Sequence, residues 1–446
     1  MAAPVKYKGW IVSGFFNGLQ KLSVPVFGIV TTMILAKEAL TKTEMGVWAL
    51  FLVVTSFIEL IRQALVKTSL IKFVNHSTAE EQRFVLSAAF FLNIIITLLL
   101  VVVLIFFAPQ IAALLKAPEL EEMLYIFSLG ILVLIPFSHF EWIMYSKSDF
   151  KGLFATYFYR QAITLALMVF FVLAFKKVSL TALVIFYSIG ILLGAAIGYR
   201  YVRLHLTHTF VLRKEWFSKL WHFGKYVFGS GVSTLVFANA GQMMLSPILG
   251  STAFTASQSI AARVINLSDM PSQVVSDILF PKSANRENAA NKDLIRYYYE
   301  KSVGATLCFC IPMVLFILLF PKFIILFLAD AQYLDAIPYL RIIAFTAIFL
   351  AYLKQWGVII DSSGRPQVNF LLITFIAVLN VVLTYFFIKE MGFLGAAYAL
   401  LISHIVAFII TQWLLYKYYG IRFMQCFKYA FEFYPELTKM LFQKFK

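Results

Sequence analysis

Six charged side chains lie near the centres of long apolar segments of this chain. They are Lys21, Glu59, Arg62, Arg263, Asp269 and Lys354. An ionised side chain at the centre of a bilayer costs about 2.5–3.5 kcal/mol on insertion scales, so each should face a polar cavity or an opposite charge. Lysine and arginine bind anions well in a water-poor cavity. The pattern predicts a transporter with a polar, mostly cationic interior and a substrate that carries negative charge.

The composition supports a chain embedded in a membrane. Of its 446 residues, 61% are hydrophobic and 13% are charged, and the mean hydropathy is +0.84. Soluble domains carry about 25% charged residues, and a chain in lipid must satisfy its backbone within helices or closed barrels. We predict an all-α polytopic membrane protein with about twelve spans. Their predicted positions are 10–36, 45–72, 84–108, 122–146, 152–175, 180–200, 223–249, 255–281, 302–320, 336–360, 367–388 and 392–416.

Basic residues between the spans predict the orientation. The segments on the side of the N-terminus hold 23 Lys and Arg residues, and the segments on the other side hold 7. Because cytoplasmic loops are enriched in Lys and Arg, we expect a multi-pass plasma-membrane protein with both termini in the cytoplasm. This asymmetry accounts for most of the net charge of +16. Membrane lipids are therefore expected partners, and nucleic acid is not.

The charge within the spans is also unbalanced. Eight basic residues and four carboxylates lie inside or at the edges of spans, so 8 minus 4 leaves an excess of +4. The basic residues are Lys21, Arg62, Lys67, Arg160, Lys225, Arg263, Arg341 and Lys354, and the acidic residues are Glu59, Glu141, Asp269 and Asp277. This excess favours an anionic substrate over a cationic one.

Helical spacing collects the polar residues of several spans into stripes, which we interpret as the lining of a lumen. The predicted cationic residues of the lumen are Lys21, Arg62, Arg263 and Lys354, its polar residues are Asn17, Gln20, Asn239, Gln242 and Asn266, and its charge-balancing or coupling residues are Glu59, Asp269 and Asp277.

Two alternatives remain for individual charges. Glu59 and Arg62, three residues apart on one helix, can neutralise each other instead of lining a path, and Asp269 can be tied to the second or the tenth predicted span. Three basic residues lie near predicted span ends, where long side chains can reach the headgroups. They are Arg160, Lys225 and Arg341.

Nothing in the sequence indicates an enzyme or a resident cofactor. No phosphate-binding Gly-rich loop, nucleophile elbow or zinc-protease motif occurs. His205 and His208 are three residues apart, but they lie in a basic loop without a nearby Cys or carboxylate, so we do not predict a metal site. Transport must then be driven by a gradient, with H⁺ or Na⁺ as the possible coupling ion, or by removal of the product.

The chain also resembles two copies of one unit. A shift of 210 residues places Glu59 on Asp269 and Lys72 on Lys282. Six spans per copy would insert both copies in the same direction, which predicts a pseudo-two-fold axis along the membrane normal and a substrate path between two lobes. The predicted parts are an N-terminal six-helix lobe at 1–205, a cytoplasmic linker at 206–222, a C-terminal six-helix lobe at 223–418 and a cytoplasmic tail at 419–446.

The tail carries Phe423, Phe427 and Phe431 at helical spacing, interleaved with charged residues such as Lys428 and Glu432. This pattern predicts an amphipathic helix at the membrane interface, and a disordered tail is the alternative.

Residues Gln242 to Asn285 carry a further signal. They read QMMLSPILGSTAFTASQSIAARVINLSDMPSQVVSDILFPKSAN and contain a Leu249-Gly250 turn, an Ala261-Ala262-Arg263 segment and a Leu279-Phe280-Pro281 step. This stretch resembles the start of the second lobe in oligosaccharide flippases of the multidrug/oligosaccharidyl-lipid/polysaccharide exporter superfamily. Segments Gly18 to Asn75 and Tyr333 to Gln367 resemble other parts of the same family.

The resemblance implies a flippase that is not an enzyme and that works by alternating access. Its cargo would be a polyprenyl-pyrophosphate-linked oligosaccharide repeat unit, moved from the cytoplasmic to the periplasmic leaflet of the inner membrane for O-antigen (lipopolysaccharide), capsule or exopolysaccharide biosynthesis. Polysaccharide polymerase machinery is a possible partner. Two other functions stay open: a cation-coupled multidrug antiporter of the same superfamily, which would need an acidic lumen, and a membrane glycan polymerase or acyltransferase.

Overall fold

The protein is all-helical in its computed structural model. The structure describes the backbone of residues 7–209, 211–284, 291–363 and 365–444, and it describes side chains from residue 16 to residue 435 apart from residues 79, 210, 226, 274, 277–290 and 364. Asp277, one of the predicted coupling residues, therefore lies outside the described side chains.

Eight helices make up the described part of the first half of the chain. They are α1 Tyr7–Ile34, α2 Lys42–Arg62, α3 Thr68–His76, α4 Ala79–Leu114, α5 Glu119–Ser146, α6 Phe150–Phe175, α7 Leu180–Val202 and α8 Lys214–Leu249. Two π-helical turns extend α1 and α2, over Leu35–Ala39 and Gln63–Lys67.

Eight further helices follow over the described residues. They are α9 Ala253–Ala284, α10 Lys292–Leu319, α11 Pro321–Leu328, α12 Ala336–Ala344, α13 Thr346–Ser362, α14 Pro366–Met391, α15 Phe393–Tyr419 and α16 Phe423–Lys444.

Local chemistry sets many of the helix ends. Thr41 and Thr78 begin α2 and α4 with capping boxes, in which the threonine side chain and a glutamate three residues later satisfy each other's backbone N–H groups. Gly392 and Gly420 end α14 and α15 with φ of 63° and 68°, a left-handed backbone that favours glycine. These stops give the spans sharp boundaries and short connections.

Ten helical segments of the described chain are long and apolar enough to cross a membrane, and the count is eleven if α12 and α13, bent by 42°, form one broken span. All twelve predicted spans coincide with helices, but α9, the predicted eighth span, is not among the ten or eleven. The physical reason is its polar stripe, which includes Arg263 and Asp269 and lowers the hydropathy of a helix that is otherwise long enough.

Internal contacts divide the chain into two compact units. The first unit holds Met1–Leu235 and Ser251–Ala256, and the second holds Val236–Gly250 and Ser257–Lys446. Helix α8 therefore contributes to both units. The boundaries of these units are not those of the two six-helix lobes expected from the sequence. The lobes remain a prediction.

In the first unit, α5 packs against α4, α6 and α7. Glycines on α7 permit the close contact between α7 and α6: a Cβ at Gly190 would lie 2.7 Å from the carbonyl oxygen of Arg160, and a Cβ at Gly194 would lie 3.1 Å from its Cβ. Small residues of this kind let helix backbones approach in a membrane. Arg160 of α6 lies at this contact and is buried.

The segment between α7 and α8 is attached to the first unit by polar contacts. His208 Nε2 lies 2.8 Å from His139 Nε2 of α5, and the backbone N–H of Thr209 donates to Ser87 Oγ at 2.8 Å. Burial lowers the pKa of His208, which favours its neutral form. The partner of His208 is thus His139 rather than the neighbouring His205.

Candidate functional site

Five charged side chains form a cluster inside the first unit, which we call the first-unit cluster. It comprises Glu59, Arg62 and Lys67 from α2 and the π turn that follows it, Glu141 from α5 and Arg160 from α6. Three basic and two acidic residues leave a net charge of 3 minus 2, or +1. Each member lies within a helix that is long enough to span a bilayer.

Lys67 and Glu141 form an ion pair between the π turn and α5. Lys67 Nζ lies 2.8 Å from Glu141 Oε1 and 4.0 Å from the centroid of the Tyr145 ring. The carboxylate is almost wholly buried, with 2% of its side chain exposed, whereas 20% of the lysine side chain is exposed. The pair therefore presents its positive member to the surroundings.

Glu59, Arg160 and Tyr187 form the second polar contact of this unit. Arg160 Nη2 donates to Glu59 Oε1 at 3.2 Å and to Tyr187 Oη at 2.7 Å, and the tyrosine hydroxyl donates to the same carboxylate oxygen at 3.3 Å. The guanidinium also lies 4.9 Å from the Phe137 ring centroid. Here the exposure is reversed, because 28% of the Glu59 side chain but only 6% of the Arg160 side chain is exposed.

This contact changes the sequence interpretation of two residues. Glu59 pairs with Arg160 across helices and not with Arg62 on its own helix. Arg160 lies near the middle of α6 and is buried, so it does not reach for headgroups at a span end.

Arg62 is held by neutral partners. Its Nε donates to Thr97 Oγ1 at 3.0 Å, and its Nη2 donates to Asn93 Oδ1 at 2.9 Å and to the Leu134 carbonyl at 2.8 Å. Only 1% of the residue is exposed. These bonds tie α2 to α4 and α5, which indicates a structural role for the predicted lumen residue.

The polar residues of α1 differ in burial. Gln20 is 8% exposed, whereas Asn17 and Lys21 are half-buried. The structure therefore leaves Lys21 accessible from one side while its neighbour Gln20 packs inward.

The second unit contains an ion pair of its own. Lys354 Nζ of α13 lies 3.0 Å from Asp269 Oδ2 of α9, and Gln273 Nε2 donates to the same oxygen at 2.9 Å. The lysine side chain is 40% exposed and the aspartate side chain 18%. Of the partners considered for Asp269, the structure selects the tenth predicted span.

Other predicted residues of the second unit are spread over two helices. Asn239 and Gln242 of α8 are half-buried, as is Arg263 of α9, and Asn266 of α9 is exposed. Together with the pair of Asp269 and Lys354, they give this unit a polar and mainly cationic set of accessible side chains.

Sequence reasoning recognised Lys67, Glu141 and Arg160 as charges within spans but assigned them no function. The only signal available was their position in apolar segments. Their pairing depends on which helices are neighbours, and that information is absent from the spacing along one helix. Tyr187 carried no signal, since a tyrosine in an apolar helix is common.

The comparisons with known proteins agree with this architecture. A family model described as polysaccharide biosynthesis protein matches residues 34–338, which is more than half of the chain. An uncharacterized membrane protein of Methanocaldococcus jannaschii is 24% identical over 207 residues, which cover 46% of this chain and 41% of that protein. The alignment thus spans less than half of that relative's length.

Solved structures share the fold at low sequence identity. The lipid II flippase MurJ, in an inward closed conformation, matches with a TM-score of 0.75 and 15% identity over 98% of this chain and 92% of that one. An inward-facing multidrug resistance MATE family transporter of the MOP superfamily matches with a TM-score of 0.72 and 14% identity, covering 88% and 98% of the two chains. A MOP superfamily transporter from Pyrococcus furiosus, with a binding pocket of reversed polarity that suggests a different function, matches with a TM-score of 0.60 and 16% identity over 89% and 95%.

The helices, the charges within them and these matches lead to one assignment. The chain belongs to the polysaccharide biosynthesis protein family, and it is an all-helical, multi-span membrane protein with a fold like those of MurJ and the MATE transporters.

Proposed function

We propose that this protein is a flippase for polyprenyl-pyrophosphate-linked oligosaccharide repeat units. It moves them from the cytoplasmic to the outer leaflet of the plasma membrane by alternating access, for the synthesis of a surface polysaccharide such as O-antigen, capsule or exopolysaccharide. Both termini lie in the cytoplasm in this proposal. The family supports a role in polysaccharide synthesis, and the fold is shared with a lipid II flippase.

The observation that carries the proposal is the exposure of the Lys354–Asp269 pair. The lysine is more exposed than its carboxylate, 40% against 18%, so an incoming group meets positive charge first. Pyrophosphate is a dense anion that cannot enter hydrocarbon without such partners. Lys21 and Arg263 add basic groups on α1 and α9, each within its own unit.

The remaining polar residues fit a glycan. Amide side chains donate and accept hydrogen bonds, as sugar hydroxyls require, and Asn17, Asn239, Gln242 and Asn266 offer them at half-buried or exposed positions. Arg62 is not part of this proposed binding set, because its guanidinium is buried among Asn93, Thr97 and Leu134.

The direct test of the cargo is native mass spectrometry of the purified protein. We expect it to bind polyprenyl-pyrophosphate-linked oligosaccharide and not a lipophilic drug cation. The Lys21→Ala and Lys354→Ala variants should lose this binding, and export of surface polysaccharide in cells should fall by at least about tenfold because a phosphate loses a charge-assisted partner.

Lys389→Ala provides the matched control, since this lysine is exposed at the end of α14. It should bind and export normally. Full activity of both the Lys21 and the Lys354 variants would refute the binding set, and wild-type protein that binds only the cation would refute the flippase.

A cation-coupled antiporter is the second candidate, and one observation favours it. Glu59 is 28% exposed while its partner Arg160 is 6% exposed, so this contact presents a carboxylate that can take up H⁺ or Na⁺. In the flippase proposal, the same carboxylate and Asp269 serve as coupling or charge-balancing groups. Binding of the drug cation that is lost in Glu59→Gln would favour the antiporter.

A further inference from the structure

Lys67 occupies an unusual position on its helix. The α-helical ladder of α2 ends at Arg62, and residues Gln63–Lys67 form a π turn before α3 continues. Such turns insert an extra residue into a helix, are costly, and often occur at functional sites. The turn ends on Lys67, whose ammonium contacts Glu141 and Tyr145 of α5.

The burial of the pair is asymmetric in a way that selects the charge of a ligand. Glu141 is 2% exposed and Lys67 is 20% exposed. We infer that a cation would have to displace the lysine to reach the buried carboxylate, whereas an anion would meet the more exposed lysine side chain first. A purely structural ion pair does not require one of its two side chains to be more exposed than the other.

The ammonium also has spare bonding capacity. A lysine carries three N–H donors. In the structure, one is directed to Glu141 Oε1 at 2.8 Å, and the Tyr145 ring lies 4.0 Å from Nζ. A ligand oxygen can therefore be added while Glu141 stays bound, so no buried charge is left alone. This avoids the penalty of breaking a buried pair.

We propose that Lys67 is a binding residue for the phosphate groups of the ligand, and that Glu141 is a positioning residue that holds the ammonium in place through one hydrogen bond. The proposal rests on the proposed function for the lipid part of the ligand, but the phosphate chemistry is independent of the sugar. It adds a binding site on the π turn and α5 to the residues inferred from sequence.

The test measures binding of two probes to the purified full-length protein: undecaprenyl pyrophosphate and inorganic pyrophosphate. Lys67→Gln should weaken binding of undecaprenyl pyrophosphate by about tenfold or more, as expected for loss of one charge-assisted bond to phosphate. Lys67→Arg should retain part of the affinity, because the charge remains. If inorganic pyrophosphate also binds, its affinity should fall in the same variants. That result would show that the site recognises the phosphate groups rather than the lipid.

Glu141→Gln provides the readout that a purely structural pair would not give. The amide keeps a hydrogen bond to Lys67 but removes a negative charge beside the ligand, so binding should become roughly 3- to 10-fold tighter. Lys72→Gln is the matched control, since this lysine of α3 is exposed and lies over the Phe223 ring. It should leave both affinities unchanged.

The possible outcomes separate the two proposals. If the wild-type protein binds neither probe, the proposed function fails. If the wild-type protein binds and Lys67→Gln binds equally well, only the assignment of Lys67 fails. If Lys67→Gln and Glu141→Gln both bind weakly and both unfold at a lower temperature than wild type, the pair is structural and the assignment is overturned.

Discussion

At the scale of single residues, burial separates charges that hold the protein together from charges that can meet a ligand. Arg62 is 1% exposed and donates to Asn93, Thr97 and the Leu134 carbonyl. The side chain of Lys67, by contrast, is 20% exposed. Both are basic residues within apolar helices, and the sequence pattern places only Arg62, the buried one, in the predicted lumen.

Arg62→Ala should therefore destabilise the protein. The substitution removes the hydrogen bonds that Arg62 donates to Thr97 Oγ1, Asn93 Oδ1 and the Leu134 carbonyl, at about 1–3 kcal/mol in total, given the modest net strength of hydrogen bonds within membrane proteins. Thermal unfolding in detergent should show a lower midpoint, with Arg62→Lys between Ala and wild type. An unchanged midpoint together with lost ligand binding would return Arg62 to the binding set.

At the scale of helices, a side chain of α16 replaces a backbone hydrogen bond that a proline removes from α10. Pro312 within α10 has no N–H, so the carbonyl of Cys308, four residues earlier, lacks its usual helical donor. Tyr434 of α16 donates its hydroxyl to this carbonyl at 2.7 Å. Close packing supports the contact, since a Cβ at Gly304 would lie 2.6 Å from the Cβ of Tyr429. The expected amphipathic tail is thus a helix that packs on α10.

Tyr434→Phe should loosen this contact. Loss of the bond should cost about 1 kcal/mol in the free energy of unfolding. In a Pro312→Ala background, the restored N–H at residue 312 satisfies the carbonyl, so the same substitution should cost less. A double-mutant cycle of thermal unfolding measures the difference. Strictly additive effects would mean that the hydroxyl does not compensate for the proline.

At the scale of the whole molecule, each unit contains an ion pair between a lysine and a carboxylate on two different helices, and the helices that supply the two charges are exchanged between the units. In the first unit, α2 and its π turn supply the lysine and α5 the carboxylate, whereas in the second, α9 supplies the carboxylate and α13 the lysine. These helices correspond to the second and fourth predicted spans of each half. In both of these pairs the lysine is the more exposed member, whereas in the Glu59–Arg160 pair of the first unit the carboxylate is the more exposed member.

The proposed orientation can be tested in intact cells. Lys177 follows α6 and Lys151 lies at the start of α6, and both are exposed. Because the three native cysteines are buried, single cysteines at these positions should dominate labelling. An impermeant thiol reagent should label Lys177→Cys from outside and reach Lys151→Cys only after permeabilisation. The opposite pattern would invert the topology and the direction of transport.

Much of the fold could be predicted from the sequence. Long apolar segments, bounded by caps such as the Thr41 box and by Gly392 and Gly420, form helices because lipid requires every backbone polar group to be satisfied locally. The excess of basic residues within them followed from counting. These are properties of contiguous residues, so they can be read without knowing which helices are neighbours.

The pairing of the charges was decided only by the tertiary structure. Glu59 meets Arg160, Lys67 meets Glu141 and Asp269 meets Lys354, over separations of 74 residues or more along the chain. Spacing on one helix suggested Glu59 with Arg62, but helix packing turned Arg62 toward α4 and α5. An ion pair inside a membrane depends on neighbours in space and on which partner stays accessible, and neither is written in the order of the residues.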